Sequence, residues 1–175
     1  MRWCTGRLKT DVISKYLTPI RSSYNLITCI GIAINELERV ERKMLQKPNN
    51  RYPLLEWSWN EEQCLQYCYD KGYTWNNLYE LFRESEHICP RVSCWCCPLQ
   101  NLSSLRILRK NFPELWQELL EMETKTWRNF RKDYSVQELD IRFAFEEEKL
   151  QQGQSIRNRI FFKELKEKLE KIKNE

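Results

Sequence analysis

Apolar positions recur at helical spacing at Leu8, Val12, Ile13 and Tyr16, which predicts a helix over residues 5–17 that Pro19 closes. Arg2, Trp3 and Cys4 then stand at a helix N-terminus. The isoleucine-rich run 24–34, carrying Gly31, has the composition of a buried strand, and residues 36–46 return to helical periodicity. A second short strand is predicted at 52–57. Asn60 is suited to cap a helix that runs to Lys71, with Gly72 in the position that ends it. Residues 74–82 are again helical in pattern. Pro90 and Pro98 then bracket an irregular, cysteine-rich loop.

From there the pattern is helical almost to the end, over 99–111, 113–127, 135–151 and 155–173. The last of these carries Phe162, Leu165, Leu169 and Ile172 on one stripe, with Glu164/Lys168 and Glu167/Lys171 four apart. That predicts a surface helix docked along one face, and fewer than two clean heptads is too little for a coiled coil.

Composition fits one soluble, helix-rich chain with a true core: of 175 residues 41% are hydrophobic and 31% charged, and there are only 4 glycines and 6 prolines. Basic residues exceed acidic ones by 29 to 25, a net charge of +4 that permits an anionic ligand without implying nucleic acid. The longest apolar stretch, 26–34, is broken by Thr28 and Gly31 and is too short to span a bilayer, and no leader-type apolar region stands at the start. A cytoplasmic protein away from membranes is expected. In a reducing compartment its 8 cysteines are thiols or metal ligands rather than disulfides.

Four of those thiols, Cys89, Cys94, Cys96 and Cys97, fall within nine residues. A Cys-x-x-Cys pair in a turn lets two thiolates reach one metal, and Cys94 with Cys97 has that spacing. Zinc and a [4Fe-4S] cluster both want four ligands, so Cys89 and the distant Cys4 are the further candidates, while Cys96, adjacent to Cys97, points elsewhere. Cys29, Cys64 and Cys68 are expected to serve packing. His87, the only histidine, lies among Glu84, Ser85 and Glu86 and is expected to be solvated. Arg2, Arg7 and Lys9 surround Cys4 and form a candidate anion site. Residues 127–134 interleave Trp127, Phe130 and Tyr134 with Arg128, Arg131 and Lys132, a pattern compatible with stacking and phosphate contact on nucleic acid or with an ordinary solvated helix end.

Four segments together carry a resemblance. Arg2-Trp3-Cys4-Thr5-Gly6-Arg7-Leu8-Lys9, Tyr52-Pro53-Leu54-Leu55-Glu56-Trp57, the stretch from Cys64 to Tyr73, and Arg91 to Gln100 resemble the C-terminal half of the phosphoadenosine phosphosulfate reductase family, within the adenine nucleotide alpha-hydrolase group. The resemblance covers most of residues 1–135. It implies an α/β remnant with predominantly helical content: two short strands from a parallel sheet, a cysteine-rich loop and a helical C-terminal part. It divides the chain into a family-like portion, 1–134, with its first motif at 1–9 and its cysteine loop at 87–100, and a helical tail, 135–175.

The resemblance also implies chemistry. Cys4, Cys94 and Cys97 match cysteines that converge on a [4Fe-4S] cluster in cluster-bearing relatives, with Cys89 as the fourth candidate and zinc as the alternative metal. Arg7 and Lys9, beside Arg2, match residues that meet the anionic groups of a sulfonucleotide. The family's Ser-Gly-Gly-x-Asp-Ser phosphate loop is missing, which implies a fragment or split product that needs a separate nucleotide-binding half and is inactive alone. No cysteine follows Cys97, so reduction by a C-terminal thiol is unsupported and sulfur transfer competes with sulfonucleotide reduction. The expected partners are a sulfonucleotide or adenine nucleotide and a thiol electron donor. The rival expectation is a non-catalytic zinc module that binds nucleic acid or a protein.

Overall fold

The computed structural model describes residues 3–42, 45–83 and 92–173. Its contacts divide the chain into two units, Met1–Thr74 and Trp75–Glu175. The expected division after Tyr134 falls inside the second unit.

The first unit begins with a three-residue helix, α1 (Trp3–Thr5), which runs through a π-helical turn at Gly6–Thr10 into α2 (Asp11–Arg21). The Thr10 hydroxyl donates to the Thr5 carbonyl five residues back at 3.1 Å, matching the widened turn. Pro19, expected to close this helix, lies inside it. It costs little there because it sits in the last turn, where its missing N–H frees a solvent-exposed carbonyl; the Ser22 hydroxyl donates to Pro19 O at 2.7 Å.

The two expected strands are shorter than their sequence pattern. β1 (Thr28–Cys29) and β2 (Asn50–Arg51) pair in parallel, Thr28 opposite Asn50 and Cys29 opposite Arg51. Of the run 24–34, Ile32 and Ala33 are buried beyond the strand, and Ile34–Arg39 forms a 3₁₀ helix in place of the predicted longer helix over 36–46. The predicted strand at 52–57 is instead α3 (Pro53–Glu56). Pro53 explains this: at the first helical position its fixed φ suits a helix and its absent N–H costs nothing, whereas in a strand it would remove a ladder donor.

The expected caps of the next helix are present. In α4 (Glu61–Asp70) the Asn60 side chain accepts from Gln63 N at 2.8 Å, and Gln63 Oε1 accepts from Asn60 N at 2.9 Å. At the other end Gly72, at φ +84°, lets Tyr73 N donate to Cys68 O and Gly72 N to Tyr69 O, a Schellman closure.

The second unit is helical. A 3₁₀ turn at Trp75–Asn77 leads into α5 (Leu78–Arg83), and beyond the cysteine turn come α6 (Leu102–Asn111), α7 (Pro113–Thr124), α8 (Val136–Gln151) and α9 (Arg159–Lys173). Leu105 and Leu108 of α6, Trp116 and Leu119 of α7, and Val136, Leu139 and Phe143 of α8 form its core. The segment expected as a separate tail thus supplies three core residues. Ser135 caps α8 by a box with Glu138, and the Glu123 carboxylate from the end of α7 accepts from Val136 N and Phe130 N, both at 2.7 Å.

A smaller cluster joins Phe145 of α8 to Phe161 and Leu165 of α9, with Leu169 partly buried against it. The docking stripe therefore runs through Phe161 rather than the expected Phe162, which is half exposed; the Ile172 side chain lies outside the described residues. Glu164 and Lys168, expected to pair with each other, instead reach α8: Lys149 Nζ lies 2.6 Å from Glu164 and Lys168 Nζ 3.8 Å from Glu148. Among the described residues the fold is mostly helical with one small parallel sheet, and no helix is long and apolar enough to cross a membrane.

Candidate functional site: a clamped cysteine turn

Cys94-Trp95-Cys96-Cys97 forms a tight turn in which Cys97 N donates to Cys94 O at 3.0 Å. A second turn follows at once, with Gln100 N donating to Cys97 O at 3.2 Å. The consecutive turns bring Cys94 and Cys97 to the ends of one bend. Cys94 and Cys96 are exposed and Cys97 is half-buried; all three are free thiols. Trp95 packs against the helical core from inside the bend, so the turn is anchored by an apolar side chain at its apex.

The turn's carbonyls are met by two side chains. Buried Gln100 donates through Nε2 to Cys94 O and to Trp95 O, each at 2.8 Å. Arg131 donates through Nη1 to Pro98 O at 3.4 Å and also to Gln100 O. The guanidinium is itself held by Asp133, Nε to Oδ1 at 2.8 Å and Nη2 to Oδ2 at 3.0 Å. The Arg131 bond holds the Asp133 carboxyl below its usual range, and Asp133 in turn raises Arg131.

Sequence reasoning did not single out Gln100, and it placed Arg131 among residues for solvent or phosphate. The available signal was slight: a glutamine directly after a Cys-x-x-Cys-Pro turn, in a short segment whose buried carbonyls need donors.

The remaining predicted site residues are dispersed. Cys4 is exposed at α1 in the first unit. Arg7 and Lys9 lie exposed in the π turn beside it, with Arg7 Nη1 3.7 Å from Asp11 Oδ2. Arg2, His87, Cys89 and Arg91 lie outside the described residues. Cys29 is exposed, and Cys64 and Cys68 are half-buried on α4, where burial, followed by the charges of Cys68 and Glu61, pushes the Cys64 thiol up.

Soft thiolates at this spacing fit zinc or iron in donor type. Among the described residues, however, no three His, Cys, Asp or Glu side chains come together as a metal-holding group. The described turn is therefore a two-sulfur contribution, and four-fold ligation needs Cys4 or Cys89 from elsewhere.

The aromatic-basic stretch is largely committed to structure. Phe130 and Tyr134 pack on the core, Arg131 serves the turn, and the Arg128 guanidinium lies 4.4 Å from the ring centroid of Trp127. Trp127, 84% exposed, borders a cleft of about 550 Å³ with Gln117, Glu121, Asn129 and Gln137.

No family model and no solved structure matches the chain. An uncharacterized protein of Methanocaldococcus jannaschii is similar to it, 23% identical over 143 residues that make up 77% of this chain and 26% of that protein. The chain spans about a quarter of the length of the curated relative it matches.

Proposed function

We propose that this chain is the cysteine-turn portion of a cytoplasmic phosphoadenosine phosphosulfate reductase-like enzyme, acting in sulfonucleotide reduction or a related sulfur transfer. The observation that carries the reading is the Cys94–Cys97 turn, which displays two cysteines at ligand spacing on a backbone whose carbonyls are occupied from behind. Cys94 and Cys97 would hold a [4Fe-4S] cluster together with Cys4 and Cys89. When bound, such a cluster supplies electrostatic stabilisation and orientation to a sulfate-bearing nucleotide.

The chain's own residues do the rest. Arg7 and Lys9, with Arg2, offer cationic groups to the nucleotide's anionic end, and the exposed Arg7–Asp11 pair is weak enough to open for that exchange. Nucleotide binding and the reducing thiol come from outside this chain, which is inactive alone.

Anaerobic purification followed by metal and sulfide analysis and a visible spectrum tests the reading. Iron and sulfide in equal amounts with a broad visible absorption, lost in Cys94→Ala and Cys97→Ala, are the expected result. One zinc per chain and no colour would sink the enzyme reading and leave a zinc module that binds a macromolecule.

A further inference from the structure

We infer that Gln100 and Arg131 are positioning residues of the thiolate site, fixing the Cys94–Cys97 turn in its metal-receiving shape; this rests on the reading of that turn as a metal-ligand pair.

A dithiol that binds a metal must hold both sulfurs on one side of a bend against thermal opening, and each degree of freedom frozen beforehand is entropy that binding does not have to remove. One hydrogen bond, Cys97 N to Cys94 O, closes the bend, and a lone exposed turn bond is easily lost to water. Gln100 answers this by placing both amide hydrogens on consecutive carbonyls, Cys94 O and Trp95 O, so the peptide between them cannot rotate without breaking two bonds at once. The glutamine is buried, and water does not compete for those donors.

Gln100 needs a fixed backbone to do this, and Arg131 supplies it. Its Nη1 meets the Gln100 carbonyl, while Asp133 grips Nε and Nη2 from the other side, so both edges of the guanidinium are engaged. A lysine could not replace this fork, having one compact ammonium group where three separate nitrogens are used. The carbonyls of Cys94, Trp95, Cys97, Pro98 and Gln100 thus all have donors from within the unit. Partners one layer outside metal ligands orient those ligands, and their loss typically weakens metal binding about 10–100-fold.

The test uses the full chain, reduced and metal-free, titrated with cobalt(II) alone against a chelator and read by sulfur-to-cobalt charge-transfer absorption. Cys94→Ser and Cys97→Ser set the binding-deficient baseline. Gln100→Leu and Arg131→Lys are expected to bind cobalt about 10–100-fold more weakly, with Asp133→Asn in between, while far-UV circular dichroism stays that of the wild type. Equal cobalt affinity in wild type, Gln100→Leu and Arg131→Lys overturns the inference.

Amide hydrogen exchange at Cys97 supplies an arm that needs no metal: the clamp predicts faster exchange in Gln100→Leu and Arg131→Lys, and unchanged exchange also overturns it. A wild-type chain that binds no cobalt, with Cys97 exchange still accelerated in the variants, overturns the metal-ligand role and the proposed function, not the clamp as the device that holds the turn.

Discussion

Glu146 of α8 is the most consequential single charge in the second unit. Its carboxylate, with a side chain only 4% exposed, accepts from Arg106 of α6 (Nε to Oε2 at 2.5 Å and Nη2 to Oε1 at 2.9 Å) and from Arg142 (Nε to Oε1 at 2.8 Å). Replacing it by leucine keeps the volume and adds apolar contact but leaves Arg142, 10% exposed, without its anion. Arg106 is 35% exposed and can turn to water, so the cost falls on Arg142.

Removing one partner of a buried pair costs about 3–5 kcal/mol, because the remaining charge stays desolvated. For a unit of about a hundred residues, 3 kcal/mol lowers Tm by on the order of 15 °C. Glu146→Leu combined with Arg142→Met is expected to recover most of that loss, since no unpaired buried charge is left. Urea unfolding followed by far-UV circular dichroism measures both variants.

The same network makes a pH prediction. Burial pushes the Glu146 carboxyl up, and the bonds and charges of Arg106 and Arg142 outweigh it, so the folded value lies below the ordinary 4.5. A lowered folded value stabilises the protein above the unfolded pKa, and that contribution disappears as pH falls through the folded one. The gap between wild type and Glu146→Leu should therefore be full at neutral pH and narrow in acid below the ordinary carboxylate range. A neutral-pH loss under 1 kcal/mol, or a double variant no better than the single one, would refute the reasoning.

Three further outcomes follow from local packing. Phe161→Ala should destabilise the second unit by about 3 kcal/mol and Phe162→Ala by well under 1 kcal/mol by urea unfolding, since Phe161 is 1% and Phe162 48% exposed. Asn60→Ala removes the acceptor for Gln63 N and should cost about 1 kcal/mol, with a matching loss of helical signal in the first unit. Iodoacetamide labelling of Cys64, followed site by site by mass spectrometry, should titrate above the ordinary thiol value in the folded protein and return to it in denaturant, because burial first and the Cys68 and Glu61 charges next raise it.

What the sequence made legible is what depends on near neighbours. Asn60 with Gln63, Gly72 after Lys71, and Ser135 with Glu138 are interactions within four residues, and each helix end they mark is where the pattern put it. The strands were harder, because pairing Thr28 with Asn50 depends on residues far apart in the chain, and an isoleucine-rich run can bury Ile32 without remaining extended. Phe161 and Phe162 are adjacent, so periodicity alone could not say which faces α8. In the cysteine turn, the Cys94–Cys97 spacing was visible, but Gln100 acquires its role only once the turn presents two carbonyls to it, and Arg131 reaches it from thirty-one positions away.

That long reach also changes what the stretch 127–134 is for. As a nucleic-acid surface it would need its cations free for phosphates and its rings free for bases. Arg131 instead spends its donors on Asp133 and on the turn carbonyls, Phe130 is held through its backbone by Glu123, and the Tyr134 ring faces Arg142 at 5.1 Å. Only Trp127, Arg128 and Lys132 face outward, and Glu121 lines the same cleft. Three groups, one of them a cation already stacked on the indole, make a small footprint for a polyanion. If this stretch were nonetheless a nucleic-acid site, Arg128→Ala with Lys132→Ala should remove about two units from the salt slope of single-strand binding. A cross-brace whose purpose is the cysteine turn predicts no such slope to remove, and places the effect of mutation at Arg131 on the thiols instead.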